Sequence, residues 1–144
     1  MSSKIPLKVG DTYNYTKHVS ENDDLAFADV TGDYSKMHTD EEFMNRTRYK
    51  TRIAHGVLSV AIGSTAATLI QVQAGGDMPS VAAGFDRLRF IKPVFLGDTL
   101  TAKYTITEVD EDNLKTIAKL EVFNQHGEIV TAALHTLKFF ELNE

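Results

Sequence analysis

Residues 53 to 76 carry no charged side chain, and 55 to 74 are filled mainly by Val, Leu, Ile, Ala, Ser and Thr. A run this long with no polar stripe predicts a helix covered over most of its circumference by other protein, and Gly75-Gly76 supplies the stop. The run is long enough to span a bilayer. Its His55, Gly56, Gly63, Gln71, Gln73 and many hydroxyls make it too polar for continuous lipid contact, so the reading is a buried helix and no membrane partner. Further on the period changes to two. From 99 to 107, Leu100, Ala102, Tyr104 and Ile106 share one face, and Thr99, Thr101, Lys103, Thr105 and Thr107 share the other. Asp112-Asn113 turns the chain into a second strand over 114–124, with Leu114, Thr116, Ala118, Leu120 and Val122 on one side. Asn124-Gln125-His126-Gly127 turns it again into a last strand over 129–140. With 81–91 before them these form an antiparallel meander. Strands of roughly 11 residues reach about 36 Å, enough to run along a helix of about 20 residues. The fold class is therefore α+β, a curved antiparallel sheet wrapped around one long central helix.

Before the helix, residues 9–17 read as a strand, with Gly10-Asp11 turning at its start. Ser20 is an N-cap, with Asp23 three residues on, for a helix over about 23–30 that ends near Gly32. At 144 residues, 42% hydrophobic and 24% charged, with no repeat or linker, the chain reads as a single domain over 1–144. The absence of cysteine removes disulfides and thiolate metal sites and suits a reducing compartment. The start of the chain lacks the apolar run of a secretory signal, so a cytoplasmic protein is expected. A net charge of -5 speaks against nucleic acid as a partner.

Asp33 and His38 stand five residues apart in what should be a loop or a short helical turn. Loop-borne ionisable groups on a rigid scaffold are the usual form of a catalytic site, and the two can divide proton donor and acceptor between them. On spacing alone, a cap and a surface residue are the more ordinary reading. His38, Asp40, Glu41, Glu42 and His55 show no recognised ligand spacing, and an acidic helix start accounts for 40–42, so no metal is predicted. Ser64 lacks the G-x-S-x-G elbow of a nucleophile. His18, His126 and His135 read as surface or packing residues.

Three blocks change the weight of that pair. They are Phe27-Ala28-x-x-x-Gly32-Asp33-x-Ser35-x-Met37-His38-x-Asp40, Ile53-Ala54-His55-Gly56-Val57-Leu58 and Phe90-Ile91-Lys92-Pro93-Val94-Phe95-Leu96-Gly97-Asp98. In that order and at those intervals they resemble the (R)-specific enoyl-CoA hydratases of the MaoC-like branch of the hot-dog fold. The resemblance implies syn addition of water to a trans-2-enoyl thioester, with Asp33 and His38 holding the water between them. It implies that the Gly56 backbone N–H is the oxyanion donor, with His55 beside it in the substrate-binding part and Ser64 lining the site. A helix N-terminus independently suits that task, offering unpaired N–H groups and positive potential to an enolate oxygen. The substrate would be a thioester of coenzyme A or of acyl carrier protein, with no cofactor. Arg46, Arg48, Lys50 and Arg52 would either meet the phosphates of coenzyme A or form a solvated edge, and Arg87 and Arg89 would serve likewise or pair with acids. A homodimer or larger homo-oligomer is expected, because the outer strand of so short a sheet leaves an unpaired edge. One departure stands out: the family's usual Asn-Pro is Ser35-Lys36 here, so the loop loses a rigid proline and gains a charge. A hot-dog acyl thioesterase and a non-catalytic acyl-thioester-binding subunit remain as alternatives.

Overall fold

A computed structural model describes residues 4–143; residues 1–3, part of the start inspected above for a secretory signal, and Glu144 lie outside the described residues. Strand β1 (Thr12–His18) leads into α1 (Glu21–Thr31), the short helices α2 (Lys36–Thr39) and α3 (Glu41–Asn45), and the long α4 (Gly56–Ala74). Strands β2 (Ser80–Phe90), β3 (Thr99–Asp110), β4 (Lys115–Phe123) and β5 (Ile129–Phe139) follow. All five lie antiparallel in one sheet ordered β1-β3-β4-β5-β2.

The period-two faces pack as their pattern dictates. Leu100, Ala102, Tyr104 and Ile106 of β3 and Thr116, Ala118, Leu120 and Val122 of β4 all turn into the core. They meet Ile62, Ala66, Ala67 and Ile70 from α4. Gly63 lets helix and sheet approach, since a Cβ there would lie 2.4 Å from Leu120 Cδ2.

The predicted meander holds for β3, β4 and β5, but β2 does not pair with β3. It pairs with β5 at the far edge, and β3 takes β1 as its other neighbour. Residues 91–98 carry the chain from edge strand β2 to β3, which lies next to the β1 edge, anchored where Ala54 N–H donates to the Val94 carbonyl at 2.7 Å and where Ile53 bridges Phe95. Helix α4 is also less enclosed than its composition suggests. Its sheet-facing residues are buried, while Val57, Ala61, Ser64, Thr68 and Val72 form an exposed stripe, because one sheet layer covers one side of a helix. Edge strand β2 is exposed on both faces along most of its length and carries irregularities between Ala82 and Gly84 and between Asp86 and Arg89.

Candidate active site

Local rules place the segment between α1 and α4. Ser20 and Asp23 close a reciprocal capping box on α1. Gly32 ends that helix in the left-handed region (φ 80°), and its N–H donates to the Ala28 carbonyl. The chain then turns through short polar side chains. Asp33 N–H donates to Thr31 Oγ1 at 3.2 Å, Ser35 N–H to Asp33 Oδ1 at 3.2 Å, and Met37 N–H to Ser35 Oγ at 3.4 Å, which starts α2. Where a proline would stiffen this loop, Asx- and Ser-type turns shape it.

His38, on α2, is oriented by Ile53. Its Nδ1 lies 2.8 Å from the Ile53 carbonyl oxygen, and Ile53 N–H donates to the Met37 carbonyl at 3.0 Å. A carbonyl only accepts, so Nδ1 carries the hydrogen and Nε2 keeps its lone pair. His38 lines a cleft of about 480 Å³ together with Tyr49, Gly56, Phe90, Ile91 and Thr131. Gly56 opens α4 at this cleft, and its N-cap residue His55 makes no side-chain capping bond. The first-turn amides therefore retain their positive potential. A Cβ at residue 56 would stand 3.0 Å from the Phe90 ring, so glycine keeps this wall open. Ser59 ties the first turn to the sheet, its hydroxyl 2.6 Å from both the Gly56 carbonyl oxygen and Thr131 Oγ1.

His55 sits at the centre. It is buried, with Nε2 2.9 Å from the Asp33 carbonyl oxygen and 4.0 Å from Asp33 Oδ2. One of its faces stacks on His38 (centroids 3.8 Å apart, planes 28° apart), and its ring also meets that of Phe27 at 4.8 Å. So His55 contacts both Asp33 and His38, and the Asp33 carboxylate stays 55% exposed. Ser64 is placed elsewhere. It lies on the exposed stripe of α4, about 12 Å along the helix axis from Gly56 at the usual rise. There it lines a second cavity, of about 420 Å³, with Ala67, Gln71, Ala82 and His135. Behind that wall His135 is paired with the buried Tyr104, Oη to Nδ1 2.8 Å, and burial pushes the tyrosine hydroxyl up and the imidazole down.

The basic residues divide. Arg52 is held by Glu21 at 3.1 Å and Glu41 at 3.4 Å, Arg46 lies over the Phe43 ring, and Arg48 lines the cleft while its NH2 donates to Tyr49 Oη at 2.9 Å. Lys92 shares the cleft, whereas Arg87 and Arg89 line a depression by Lys119 and Glu121.

A residue that sequence reasoning passed over lies beneath. Asp24 of α1 is wholly buried, 3.3 Å from His55 Nδ1, and burial raises its carboxyl above the ordinary aspartate range. Its signal was available: Asp24 shares a helix face with Ala28, the other buried residue of α1. Asp24, His38 and His55 each bring one possible ligand atom within 4.8 Å of the others. Two stacked rings, however, send their lone pairs side by side, whereas an ion at about 2.0–2.1 Å from each nitrogen needs them to converge. The cluster is built as two stacked imidazoles over a buried carboxyl group.

The family model described as "MaoC like domain" matches residues 6–129. The chain is 36% identical over 103 residues to an (R)-specific enoyl-CoA hydratase of Rhodospirillum rubrum, covering 70% of this chain and 67% of the relative. It is 35% identical over 105 residues to a 3-hydroxybutyryl-CoA dehydratase of Methylorubrum extorquens, covering 72% of this chain but only 62% of that relative. Among solved structures, an R-hydratase from Pseudomonas aeruginosa superposes with a TM-score of 0.83 at 31% identity, covering 99% of this chain and 93% of the other.

Proposed function

The chain belongs to the MaoC-like family, with its hot-dog fold, and from that premise we propose that it is an (R)-specific enoyl-CoA hydratase. In this reading it adds water to a trans-2-enoyl thioester and gives the (R)-3-hydroxyacyl thioester, or runs the reverse dehydration. One observation carries it: a histidine with a free Nε2 lines the cleft at the uncapped N-terminus of the central helix, and a single buried imidazole joins it to Asp33.

The chemistry follows from these groups. Water is bracketed by the Asp33 carboxylate and His38 Nε2. Its oxygen bonds to the β-carbon as the α,β double bond opens, one of its protons passes to the pair, and a proton from the pair goes to the α-carbon on the same face. Negative charge gathers on the thioester oxygen meanwhile, and the Gly56 amide faces that charge, aided by the helix dipole. No cofactor is required beyond the coenzyme A carried by the substrate. Arg48 and Lys92, at the cleft, would meet its phosphates, Lys92 by leaving Glu128, which holds it at 2.5 Å. We place the activity in the cytoplasm, in keeping with a cysteine-free chain.

Crotonyl-CoA supplies the test, with loss of enoyl absorbance and release of free thiol followed separately. The expected result is enoyl loss without thiol, and an (R)-3-hydroxy product. Thiol release without hydroxyacyl product would replace the hydratase with a thioesterase.

A further inference from the structure

The hydration steps above leave Asp24 without a task, although burying a carboxyl group is expensive unless it holds a partner or a proton. Its side chain is 0% exposed, and among the described residues neither oxygen has a well-formed hydrogen-bond partner. The groups facing it come from three places: His55 at the start of α4, His38 from α2, and Arg52 from the segment before α4. Arg52 is already engaged by Glu21 and Glu41. Of the two imidazoles, His55 at 3.3 Å is the one in ion-pair contact with Asp24.

The state of His55 follows from its contacts. Nε2 faces the Asp33 carbonyl oxygen at 2.9 Å, and because a carbonyl only accepts, Nε2 carries a hydrogen. If the ring held no other hydrogen, Nδ1 would aim a lone pair at an ionised carboxylate in a dry site, which is repulsive. A single proton between Nδ1 and Asp24 Oδ1, on either atom, turns that contact into an attraction.

We propose that Asp24 is a positioning residue that shares one proton with His55 Nδ1, and so fixes His55 as the donor that holds Asp33 and as the platform on which His38 stacks. The inference rests on the hydratase reading and deepens it. Through Nε2–H, His55 fixes the backbone that carries one member of the catalytic pair, and through its face it sets the plane of the other, 3.8 Å away.

Two variants test this, Asp24→Leu and Asp24→Asn. Leucine removes both proton and acceptor, whereas an asparagine amide donates N–H to Nδ1 and preserves the Nε2–H form. The readouts are kcat, KM and their pH profiles with crotonyl-CoA, the melting midpoint, and nitrogen NMR of the histidine rings. Asp24→Leu should melt lower than the parent, because it removes one partner of a buried pair and leaves His55 Nδ1 without the other. Its kcat should fall about 10- to 100-fold, the usual loss when the partner behind a site residue is removed, with KM little changed. Asp24→Asn should recover most of that loss and show an altered pH profile. His55 ring-nitrogen signals should report hydrogen on Nε2 and a shared proton at Nδ1 in the parent, and a bare Nδ1 in Asp24→Leu. A folded Asp24→Leu protein with the parent's kcat, pH profile and ring signals would overturn the proposal. Should Asp24→Leu not fold, an Asp24→Asn protein as slow as His38→Ala would overturn it, and recovery would support it. If the parent itself fails to hydrate crotonyl-CoA, the hydratase reading falls; the ring signals then decide on Asp24, changed in Asp24→Leu for support and unchanged for refutation.

Discussion

His38 reaches the cleft with Nδ1 committed to the Ile53 carbonyl, so its chemistry resides in Nε2. Removing that nitrogen by His38→Ala, or the negative charge by Asp33→Asn, should lower kcat about 10²- to 10⁴-fold, the range for a general acid or base. Stability should change little for Asp33, whose carboxylate is largely solvated. Enoyl absorbance on folded protein measures this, and near-parental turnover in either variant removes that residue from the mechanism. His135 makes a different prediction. Burial lowers its proton affinity from the ordinary value of 6.5, so below that pH the unfolded chain binds a proton that the folded one refuses. Stability from this group is complete above about pH 6.5 and is lost as pH falls through and below it, by up to about 1.4 kcal/mol per unit. His135→Gln keeps an acceptor for Tyr104 and removes the titration. Urea midpoints between pH 7 and 5 should therefore fall more steeply in the parent than in the variant, and parallel curves would refute the assignment. The two site groups differ in how far the sequence exposed them. Asp33, His38 and Gly56 were legible because a motif carries them in order. Asp24 was hidden because the acids beside it, Glu21 and Asp23, have an evident first-turn role at the helix N-terminus.

Helix α4 is positioned by contact rather than by polarity, and Gly63 is where that contact is tightest. A methyl group there would lie 2.4 and 2.9 Å from the two Leu120 Cδ atoms, and Leu120 is itself buried with little room to yield. Gly63→Ala should destabilise the protein by about 1–3 kcal/mol despite the better helix propensity of alanine, as overpacked cores do. Gly84→Ala is the control, because a Cβ at that position would meet nothing within 4 Å. Urea unfolding of both separates the two cases; a neutral Gly63→Ala would mean that the helix can lift from the sheet at little cost. Elements of this kind were read well from the sequence where their own residues decide. Ser20, Gly32 and Gly75 mark helix ends, and strict alternation marks β3 and β4. The place of β2 was not legible, because it depends on residues 91–98 crossing from the β2 edge past β5 and β4 to β3, a non-local fact that no period records.

At the scale of the whole molecule, the exposed stripe of α4 and the free edge of β2 are surfaces that a second copy can cover. Both sheet edges expose unpaired backbone groups, but they are not equivalent. Strand β1 is short, Thr12–His18, and turns Tyr13 and Tyr15 against the core, leaving Thr, Asn and His outward. Strand β2 is longer, Ser80–Phe90, and shows Val81, Leu88 and Phe90 to solvent. Apolar side chains beside a free ladder favour pairing of two copies edge to edge, a self-complementary contact that a two-fold axis closes. The parent should therefore sediment at twice the mass of one chain. Val72→Glu on the α4 stripe combined with Val81→Lys on β2 should shift it toward the monomer, because both bring charge into a contact that would have to desolvate it. Val30→Glu, equally apolar and exposed but on α1, should leave the mass unchanged. A monomeric parent would refute the assembly outright, whereas a double variant that stays dimeric would move the interface away from β2 and α4.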